Sequence, residues 1–394
     1  MIYMFSLASY GEGISGGDRI YIEFARNWRK KTFVYIHTWD EGYAMCQRQG
    51  LRAGRKLEYR VHHLGIVYRA FFLVSYIARI FLGIWIGLTL KLKGGPNVII
   101  YGSSEFWMDV LPCILIKFRY PKVTWAATWY QTAPSPLKGF SEGNRGEKYR
   151  LNALFYWLAQ LPMKPLIANN ADFVLVNNNE EKQQFPKLNK KGKSIVVLGA
   201  VPLQDIKRWK KANRRYQKIY DAVFQGRFHA QKGVVELIEV WKKVVEERPN
   251  AKLAMIGDGP LMNRVRSDIR KFKLDENIKL FGYVFDGHKK YKIFAQSRVV
   301  VHPAFYDSGG MASAEAMAFG IPAVGFNLKS YESYYPKGML KVETGNLDEF
   351  AKGVLSLLEN KNMAVRLGRD AGMIIEKEFA WSMRAKEVYD IIAR

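Results

Sequence analysis

Short apolar runs alternate with longer amphipathic stretches along most of this chain. In the first half, runs of strand length occupy residues 1–8, 33–37, 97–101, 123–127, 173–176 and 194–198. In the second half they occupy residues 222–225, 252–256, 278–281, 299–302 and 323–326. Because these short runs alternate with stretches of helical periodicity, the pattern predicts an α/β fold with a parallel sheet in each half.

A polar segment rich in Lys and Arg, residues 204–218, separates the two halves. We predict that it links two Rossmann-like domains, at residues 1–203 and 219–378. A chain of 394 residues favours two domains on length alone. Residues 379–394 have the periodicity of an amphipathic helix. The sequence therefore predicts two domains, a linker and a final helix.

One stretch, residues 70–90, is nearly continuously apolar and contains a single charged residue, Arg79. As a helix it would reach about 30 Å, enough to cross a bilayer, but a central arginine costs roughly 2.5–3.5 kcal/mol on insertion. The strands predicted at 33–37 and 97–101 should also share one sheet, and a single crossing would separate them. We therefore expect a helix that is partly core and partly at a membrane interface, ahead of a core helix or a true span.

Five basic residues precede this stretch: Arg48, Arg52, Arg55, Lys56 and Arg60. Each cation near an anionic leaflet adds about 1 kcal/mol of attraction, which predicts a membrane-docking region at about residues 48–92. A solvated charged surface is the alternative explanation.

The whole chain is basic, with 61 Lys and Arg against 36 Asp and Glu and a formal charge of +25. A basic surface attracts polyanions, whether an anionic membrane, a nucleic acid or a phosphorylated ligand. A nucleic-acid-binding protein is therefore one rival function. Since the sequence contains no zinc-knuckle or RNA-binding motif, we expect no specific nucleic-acid partner.

The cysteines and the first residues indicate the compartment. The two cysteines, Cys46 and Cys113, lie far apart in the sequence, which excludes a disulfide framework or a cysteine metal cluster and favours a reducing compartment. The first residues predict a strand and not the cationic start of a signal peptide. We therefore expect a cytoplasmic protein.

A glycine-rich loop follows the first predicted strand and opens a helix. The segment GEGISGGDR places Gly11, Gly13 and Gly16 in GxGxxG spacing, and Asp40 ends the next strand. This pattern is typical of dinucleotide sites and supports an NAD(P)-dependent oxidoreductase as an alternative function. The broader interpretation is a loop at Gly16 and Gly17 whose backbone approaches a phosphate. A tight turn that binds no ligand is the third interpretation of this loop.

In the second half, FQGRFHAQKG places two cations, Arg227 and Lys232, between a strand and a helix. This is the carboxyl edge of the predicted parallel sheet, where α/β proteins bind ligands. Two cations and a helix N-terminus can hold a diphosphate and stabilise charge developing on it. GDGP, with Gly257, closes the next strand at the same edge, so several loops converge there. Two unrelated surface cations are the alternative.

The segment HPAFYDSGGMASAEAMAFGIPAVGF contains two acids, Asp307 and Glu315, on either side of Gly309 and Gly310. We expect the glycines to expose main-chain N–H groups to hydroxyl or phosphate oxygens. Carboxylates accept hydrogen bonds in pairs, which suits the vicinal hydroxyls of a sugar or a ribose. An Asp N-cap followed by a helical Glu is the alternative, and it leaves Glu315 unexplained on an otherwise apolar helix.

These motifs, in this order, resemble those of the retaining GT-B glycosyltransferases of family 4, the glycosyl transferases group 1. That family has a basic pair after the first C-domain strand, then GxGP, then a strand ending in Pro, then E-x7-E running into EAMAxGxPV. Here they read GRFHAQKG, GDGP, HPAFYD and DSGGMASAEAMAFGIPAV. The resemblance is strong over residues 221–390 and looser in the first half, at SGGD and ADFVLVNN…VVLGAVP.

The resemblance implies a GT-B fold: two Rossmann-like domains facing across a cleft, with the C-terminal helix crossing back to the N-terminal domain. It implies a retaining, metal-independent hexosyltransferase without a cofactor, using a nucleotide-sugar as co-substrate. The acceptor would be lipid-linked or a glycan, as in surface polysaccharide or glycan assembly. With the basic docking region, this places the protein on the inner face of the cell membrane.

The resemblance also implies roles for single residues. Arg227 and Lys232 would hold the diphosphate, Glu315 the ribose, and Asp307 a hydroxyl of the donor sugar. The other residues expected at the donor are Gly16, Gly17, Gly257, Tyr283, Val284, Ser308, Gly309, Gly310, Met311 and Ala312.

The chain departs from the family pattern at two places. The first acid is Asp307 instead of Glu, and Gly309 stands where Phe is common. The His that many members carry in the N-terminal domain is replaced by ATWYQTAPSP, so we expect Trp129 or Tyr130 to line the acceptor site. Because both departures affect the catalytic pattern, an inactive GT-B scaffold is a further alternative.

Overall fold

The structure is a computed structural model, and it describes residues 1–11, 13–65, 72–94, 97–140, 145–213 and 216–394. These residues form two compact units. The first comprises Met1–Ala133, Leu154–Leu198 and Ser382–Arg394, and the second comprises Pro134–Ala153 and Gly199–Trp381. Each unit contains a parallel sheet with helices, which confirms the predicted α/β architecture.

The first unit is built on a sheet of seven parallel strands in the described residues. They are β1 (Ile2–Ser6), β2 (Val34–Trp39), β3 (Leu57–His62), β4 (Ile99–Gly102), β5 (Thr124–Trp129), β6 (Phe173–Val176) and β7 (Ser194–Val196), in the spatial order β3-β2-β1-β4-β5-β6-β7. Its helices are α1 (Gly16–Trp28), α2 (Asp40–Arg48), α3 (Phe72–Thr89), α4 (Trp107–Arg119), part of α5 (Arg150–Gln160), α6 (Met163–Asn170), α7 (Asn179–Gln183) and α8 (Pro186–Lys190).

The second unit has a parallel sheet of six strands: β8 (Tyr220–Gln225), β9 (Leu253–Ile256), β10 (Ile278–Leu280), β11 (Ser297–His302), β12 (Ala323–Phe326) and β13 (Met339–Val342), in the order β10-β9-β8-β11-β12-β13. Its helices are α9 (Leu203–Ala212), α10 (Val234–Glu247), α11 (Met262–Lys271), α12 (His288–Ala295), α13 (Met311–Met317), α14 (Ser330–Tyr334), α15 (Leu347–Glu359) and α16 (Lys361–Glu378), and α17 (Trp381–Ile392) follows.

The central strands are apolar because helices cover both faces of each sheet. Every residue of β1, β2, β4, β9 and β12 is buried. In a parallel sheet covered on both sides, strands become continuous apolar runs instead of alternating ones. This is why the short apolar runs of the sequence locate the strands well.

The segment predicted to be a linker, residues 204–218, contains most of α9, and residues 214–215 lie outside the described part. Helix α9 belongs to the second unit. Its Trp209 packs against Phe319, with ring centroids 5.7 Å apart, and Lys210 Nζ donates to the carbonyl oxygen of Ala318 over 3.1 Å. The polar composition concealed the apolar residues of α9, which are Leu203, Ile206 and Trp209.

The first predicted domain, residues 1–203, also contains a segment of the second unit, Pro134–Ala153. Arg145 attaches it: Nε lies 2.5 Å from Glu236 Oε1, and a terminal nitrogen donates to the carbonyl oxygen of Ala230 over 2.6 Å. The boundary predicted from the sequence missed this segment because its partners lie about ninety residues further along the chain.

Helix α17 returns the chain to the first unit, as the GT-B resemblance predicted. Trp28 Nε1 donates to the carbonyl oxygen of Ala385 over 2.8 Å, and Lys31 forms an ion pair with Asp390. The Trp28 ring is buried and packs on Phe24 and Tyr101. The final helix is therefore part of the first unit's core.

Helix α3 has one buried face and one exposed face. Gly83 and Gly87 lie against α4, where a Cβ on Gly83 would come within 2.7 Å of the carbonyl oxygen of Met108. Arg79 is 1% exposed, and it donates to the carbonyl oxygens of Leu7 and Ala8 at 3.0 and 3.1 Å. The opposite face is apolar and exposed: Phe72, Leu73, Val74, Ile77, Phe81, Trp85 and Leu88. Residues 66–71 of the predicted docking region lie outside the described residues.

We expect Trp28→Ala to lower the free energy of unfolding of the first unit by about 3–5 kcal/mol, because it leaves a large cavity between α1 and α17. Chemical denaturation followed by fluorescence measures this. Trp157→Ala is the control, since the Trp157 side chain is partly exposed and its loss should change stability much less. Equal effects of the two substitutions would contradict the packing described here.

Candidate functional site

The loops after β8 and β11 begin at neighbouring strands in the middle of the second sheet. The connection from β8 leads towards β9, whereas the connection from β11 leads towards β12 on the other side. Diverging connections leave a crevice at the carboxyl ends of the two strands, and ligands of open α/β sheets bind in such a crevice. Arg227 and Lys232 follow β8, and Asp307 follows β11, so the topology brings these predicted residues together.

Glycines allow the loops to pack closely at this edge. Gly257 has φ 142°, and a Cβ there would lie 1.8 Å from the carbonyl oxygen of Gly226. Gly233 adopts the left-handed conformation with φ 62°, and its Cβ would lie 1.9 Å from the carbonyl oxygen of Pro303. The Gly257 N–H donates to the carbonyl oxygen of Gly282 over 2.8 Å. In this structure Gly257 therefore joins the loops after β8, β9 and β10.

Asp307 is the centre of a buried polar cluster. Lys232 Nζ lies 2.5 Å from its Oδ2, His302 Nε2 donates to the same oxygen over 3.0 Å, and the Tyr331 hydroxyl donates to it over 3.3 Å. Burial raises the pKa of Asp307, but Lys232 and His302 outweigh burial and hold the pKa well below its ordinary value. Burial lowers the pKa of His302. Asp307 is therefore ionised and His302 neutral at neutral pH.

The N–H groups of Gly309 and Gly310 are not open, contrary to our expectation. Both donate to Asp307 Oδ1, over 3.2 and 3.1 Å. Gly309 serves another purpose, since a Cβ there would lie 2.1 Å from Cζ of Tyr334. The Tyr334 hydroxyl in turn accepts a hydrogen bond from the Gly199 N–H over 2.8 Å. The ring of Tyr334 thus lies against the position where the family commonly has a Phe.

Glu315 lies on the buried face of α13 and has two partners at one oxygen. Lys290 Nζ forms an ion pair with its Oε2, and Gln225 Nε2 donates to the same Oε2 over 2.9 Å. Lys290 also contacts Asp286 Oδ1 over 2.7 Å. An acid on this apolar helix is therefore held by a buried lysine from α12 and by the last residue of β8.

Arg227 is exposed at the mouth of the crevice, whereas Lys232 keeps 20% of its side-chain area exposed. His229 lies between them in the chain. Burial lowers the pKa of His229 to about 4, and Arg227, Lys232 and Arg145 add to this effect. The loop after β8 therefore carries two cations, Arg227 and Lys232, with a neutral histidine between them in the chain. The two cations suit a diphosphate, because charged donors bind phosphate oxygens strongly.

The other predicted donor residues of the second unit lie on these same loops. Tyr283 and Val284 follow β10, and the Tyr283 ring packs edge-on against Phe285. Ser308 follows Asp307, and Met311 and Ala312 form the first turn of α13. Their contacts with a donor stay a prediction.

In the first unit, Gly16 begins α1 and Ser15 caps it, with the Ser15 hydroxyl accepting from the Asp18 N–H. Gly17 faces Tyr130, where an added Cβ would lie 3.3 Å from the ring. The Tyr130 hydroxyl contacts that of Tyr101 over 2.8 Å. Tyr130 is buried, and its ring packs against the glycine loop at Gly17.

Trp129 does not occupy an accessible position. Its side chain is 1% exposed, its ring packs against Phe185, and its Nε1 donates to Thr132 Oγ1 over 2.8 Å. The expectation that Trp129 lines an acceptor site is wrong, because β5 is a central strand and Trp129 points into its core. Asp40, the acid of the dinucleotide pattern, accepts from His63 and from the Leu64 N–H.

Sequence reasoning missed five residues of this site: Gln225, Lys290, His302, Tyr331 and Tyr334. His302 directly precedes the HP motif's proline and could have been found as a polar residue in an apolar strand. Lys290 and the two tyrosines lie on helices with ordinary amphipathic patterns, and no local pattern marks them. Among the described residues, no group of three or more His, Cys, Asp or Glu is arranged to hold a metal ion.

Comparison with known proteins finds similarity to glycosyltransferases. Residues 205–372 match the profile of the family described as Glycosyl transferases group 1. An uncharacterized glycosyltransferase of Methanocaldococcus jannaschii is 24% identical over 249 residues, 60% of this chain and 56% of that protein. A GDP-mannose-dependent monoacylated alpha-(1-6)-phosphatidylinositol monomannoside mannosyltransferase of Corynebacterium glutamicum is 24% identical over 172 residues, 41% of this chain and 44% of that protein.

The fold also matches a solved structure over its whole length. HepE of Anabaena, crystallised with UDP and glucose, covers 100% of this chain and 99% of its own with a TM-score of 0.70 and 12% identity. The predicted GT-B fold and the resemblance to the group 1 enzymes are thereby confirmed, and the oxidoreductase alternative finds no support. The chain spans about half the length of the curated relatives named above.

We expect Asp307→Asn to lower the free energy of unfolding of the second unit by on the order of 3 kcal/mol at neutral pH, because it breaks a buried ion pair. The folded-state pKa of Asp307 is depressed, so its contribution is complete above the unfolded pKa of about 3.9. It is lost as the pH falls through the folded pKa. The difference between wild type and variant should therefore shrink at acid pH.

Denaturation at several pH values measures this difference. Asp348→Asn is the matched control, since Asp348 forms an exposed ion pair with Lys243 and such pairs contribute little. A pH-independent difference for Asp307→Asn would show that the ion pair is not the cause.

Proposed function

We propose that this chain, which has the GT-B fold and matches the glycosyl transferases group 1 profile over residues 205–372, is a retaining glycosyltransferase. It transfers a sugar from a nucleotide-sugar to a lipid-linked or glycan acceptor. The observation that carries the proposal is that Arg227, Lys232 and Asp307, on loops, and Glu315, on α13, all follow the strands at one switch point of the second sheet.

The cations act on the leaving group. The bond between the anomeric carbon and the diphosphate breaks, and a bond from an acceptor oxygen forms on the same face of the sugar. The acceptor proton passes to the departing phosphate. Arg227 and Lys232 stabilise the charge that develops on that diphosphate, which is why the proposal needs no metal ion and no cofactor.

Lys232 can take part although Asp307 pairs with it. An ammonium group has three N–H donors, and Asp307 Oδ2 uses one of them. The partly exposed side chain leaves the others available for phosphate oxygens. Asp307 thus orients Lys232, and its two oxygens together accept five hydrogen bonds from the protein.

The exposed face of α3 supports a membrane-held acceptor. This helix is long and apolar enough to cross a membrane, yet 28% of its apolar window is buried in the protein. Both neighbouring strands, β3 and β4, lie in one sheet, and a crossing would separate them. We propose that its apolar face lies in the membrane interface instead, where Phe81 and Trp85, 67% and 57% exposed, enter the headgroup region.

Positive charge lies on the same face of the first sheet. Arg60 stands opposite His37 in the register of β3 and β2, and His62, two residues further along the same strand, contacts the Trp85 ring. Arg52 and Arg55 are exposed in the loop before β3. Arg60 forms an ion pair with Glu58, so the net excess of cations comes from Arg52 and Arg55. Exposed cations favour an anionic leaflet, and with the apolar face of α3 we propose a peripheral protein on the cytoplasmic face of the cell membrane.

We expect one class among UDP-, GDP-, ADP- and dTDP-sugars to stabilise the protein, by about 2.7 kcal/mol at 100 times its dissociation constant. A thermal-shift panel that includes NAD and NADP measures this. Arg227→Ala should abolish the shift, because it removes a diphosphate contact. Arg266→Ala, at an exposed arginine on α11, is the control and should retain it. A shift by NAD or NADP alone would refute the donor assignment.

We expect the double variant Phe81→Ser and Trp85→Ser to bind anionic vesicles at least about tenfold more weakly than wild type, since each buried aromatic contributes about 1.5–3 kcal/mol. Co-sedimentation with phosphatidylglycerol vesicles at low salt measures this. The matched control is Val365→Ser with Met373→Ser, which removes two exposed apolar residues from α16. Docking through α3 is ruled out if wild type and the Phe81/Trp85 variant sediment alike.

A further inference from the structure

Lys290 is a buried cation between two carboxylates. Its side chain is 5% exposed, and Nζ contacts Asp286 Oδ1 and Glu315 Oε2. Burial lowers the pKa of a lysine, but the two carboxylates outweigh burial here, and the pKa of Lys290 is raised. Lys290 is therefore charged at neutral pH, and its position depends on both acids.

The two oxygens of Glu315 have different surroundings. Oε2 receives both Lys290 Nζ and Gln225 Nε2. No residue that the structure describes donates a hydrogen bond to Oε1. Two contacts at one oxygen fix the rotation of the carboxylate, and they leave the other oxygen as its unused acceptor.

We propose that Lys290 is a positioning residue that sets which oxygen of Glu315 meets the nucleotide. The inference rests on the proposed function, in which Glu315 holds the ribose of the donor. With Oε2 committed to Lys290 and Gln225, Glu315 recognises the ribose through Oε1 alone. One of the two ribose hydroxyls therefore contributes more to affinity than the other.

The geometry explains why a lysine and not a neutral donor occupies this place. A buried carboxylate is costly unless it is paired and hydrogen-bonded. Lys290 pairs with Glu315, and Asp286, which lies two residues before the start of α12, holds Lys290 in place. The lysine thereby acts on the nucleotide without touching it.

The test is the affinity of the whole protein for UDP and GDP, each with its 2′-deoxy and 3′-deoxy forms, measured by calorimetry. A charged hydrogen bond corresponds to a factor of about 10 or more in affinity. Wild type should therefore bind the ribonucleotide about tenfold more tightly than one of the two deoxy forms. In Lys290→Met this ratio should fall to within about twofold, with affinity for that deoxy form little changed.

Lys243→Met is the matched control, because it breaks an exposed lysine–aspartate pair in the same unit and should keep the wild-type ratio. Lys290→Arg should restore part of it. A merely structural role of Lys290 would weaken ribo and deoxy forms equally, so the ratio separates positioning from stability.

Gln225→Leu is the second variant, since it removes the other contact to Oε2 without leaving a buried charge unpaired. The ratio of ribonucleotide to deoxynucleotide affinity should also fall in this variant. If Lys290→Met folds and keeps the wild-type ratio of ribonucleotide to deoxynucleotide affinity, the inference is overturned. If Lys290→Met does not fold, an unchanged ratio in Gln225→Leu overturns it. Equal affinity of wild type for ribo and deoxy forms overturns it as well. If wild type binds neither UDP nor GDP, and ADP and dTDP bind no better, the proposed function itself fails.

Discussion

The second unit depends on satisfying one buried charge, that of Asp307. An ionised carboxylate away from water is costly unless it is paired and hydrogen-bonded. Lys232 arrives from the loop after β8, His302 from the end of β11, and Tyr331 from α14. These elements can supply their donors only in one mutual arrangement. Satisfying Asp307 therefore positions Lys232 and the start of α13, where part of the proposed donor site lies.

The first departure from the family pattern, Asp307 together with Gly309, forms one packed arrangement. The short side chain of Asp307 accepts hydrogen bonds from the N–H groups of Gly309 and Gly310, two and three residues later, as aspartates do in turns. The missing Cβ of Gly309 admits the Tyr334 ring, whose hydroxyl then accepts from Gly199. A site that had lost its function would show unpaired polar groups or cavities at such positions. Here the substitutions are packed and bonded, which argues against an inactive scaffold.

Local pattern and sheet topology can be predicted from the sequence, whereas remote partners cannot. Apolar runs located eleven of the thirteen described strands and missed β3 and β13, which are edge strands of the two sheets. The rule that parallel strands end at one edge brought Arg227, Lys232 and Asp307 together, and Glu315 lies on the helix that follows Asp307. Prediction failed where the deciding partner is remote. Trp129 looked available until β5 proved central, and Lys290 resembles any helical lysine until Glu315 is placed beside it. The segment around Arg145 joins the second unit through Glu236, and the predicted linker is a helix that packs through Leu203, Ile206 and Trp209.

Arg79 links the exposed helix of the first unit to its glycine loop. The same charge that opposes a membrane crossing fixes the helix by bonding to the carbonyl oxygens of Leu7 and Ala8, and Asp109 accepts the N–H groups of those two residues. With Arg79 turned inward, the apolar face of α3 must point outward. Leu7 and Ala8 lead directly into the loop that ends at Gly16. Arg79 therefore holds both the helix α3 and the start of the glycine loop, and neither can rotate without breaking buried hydrogen bonds.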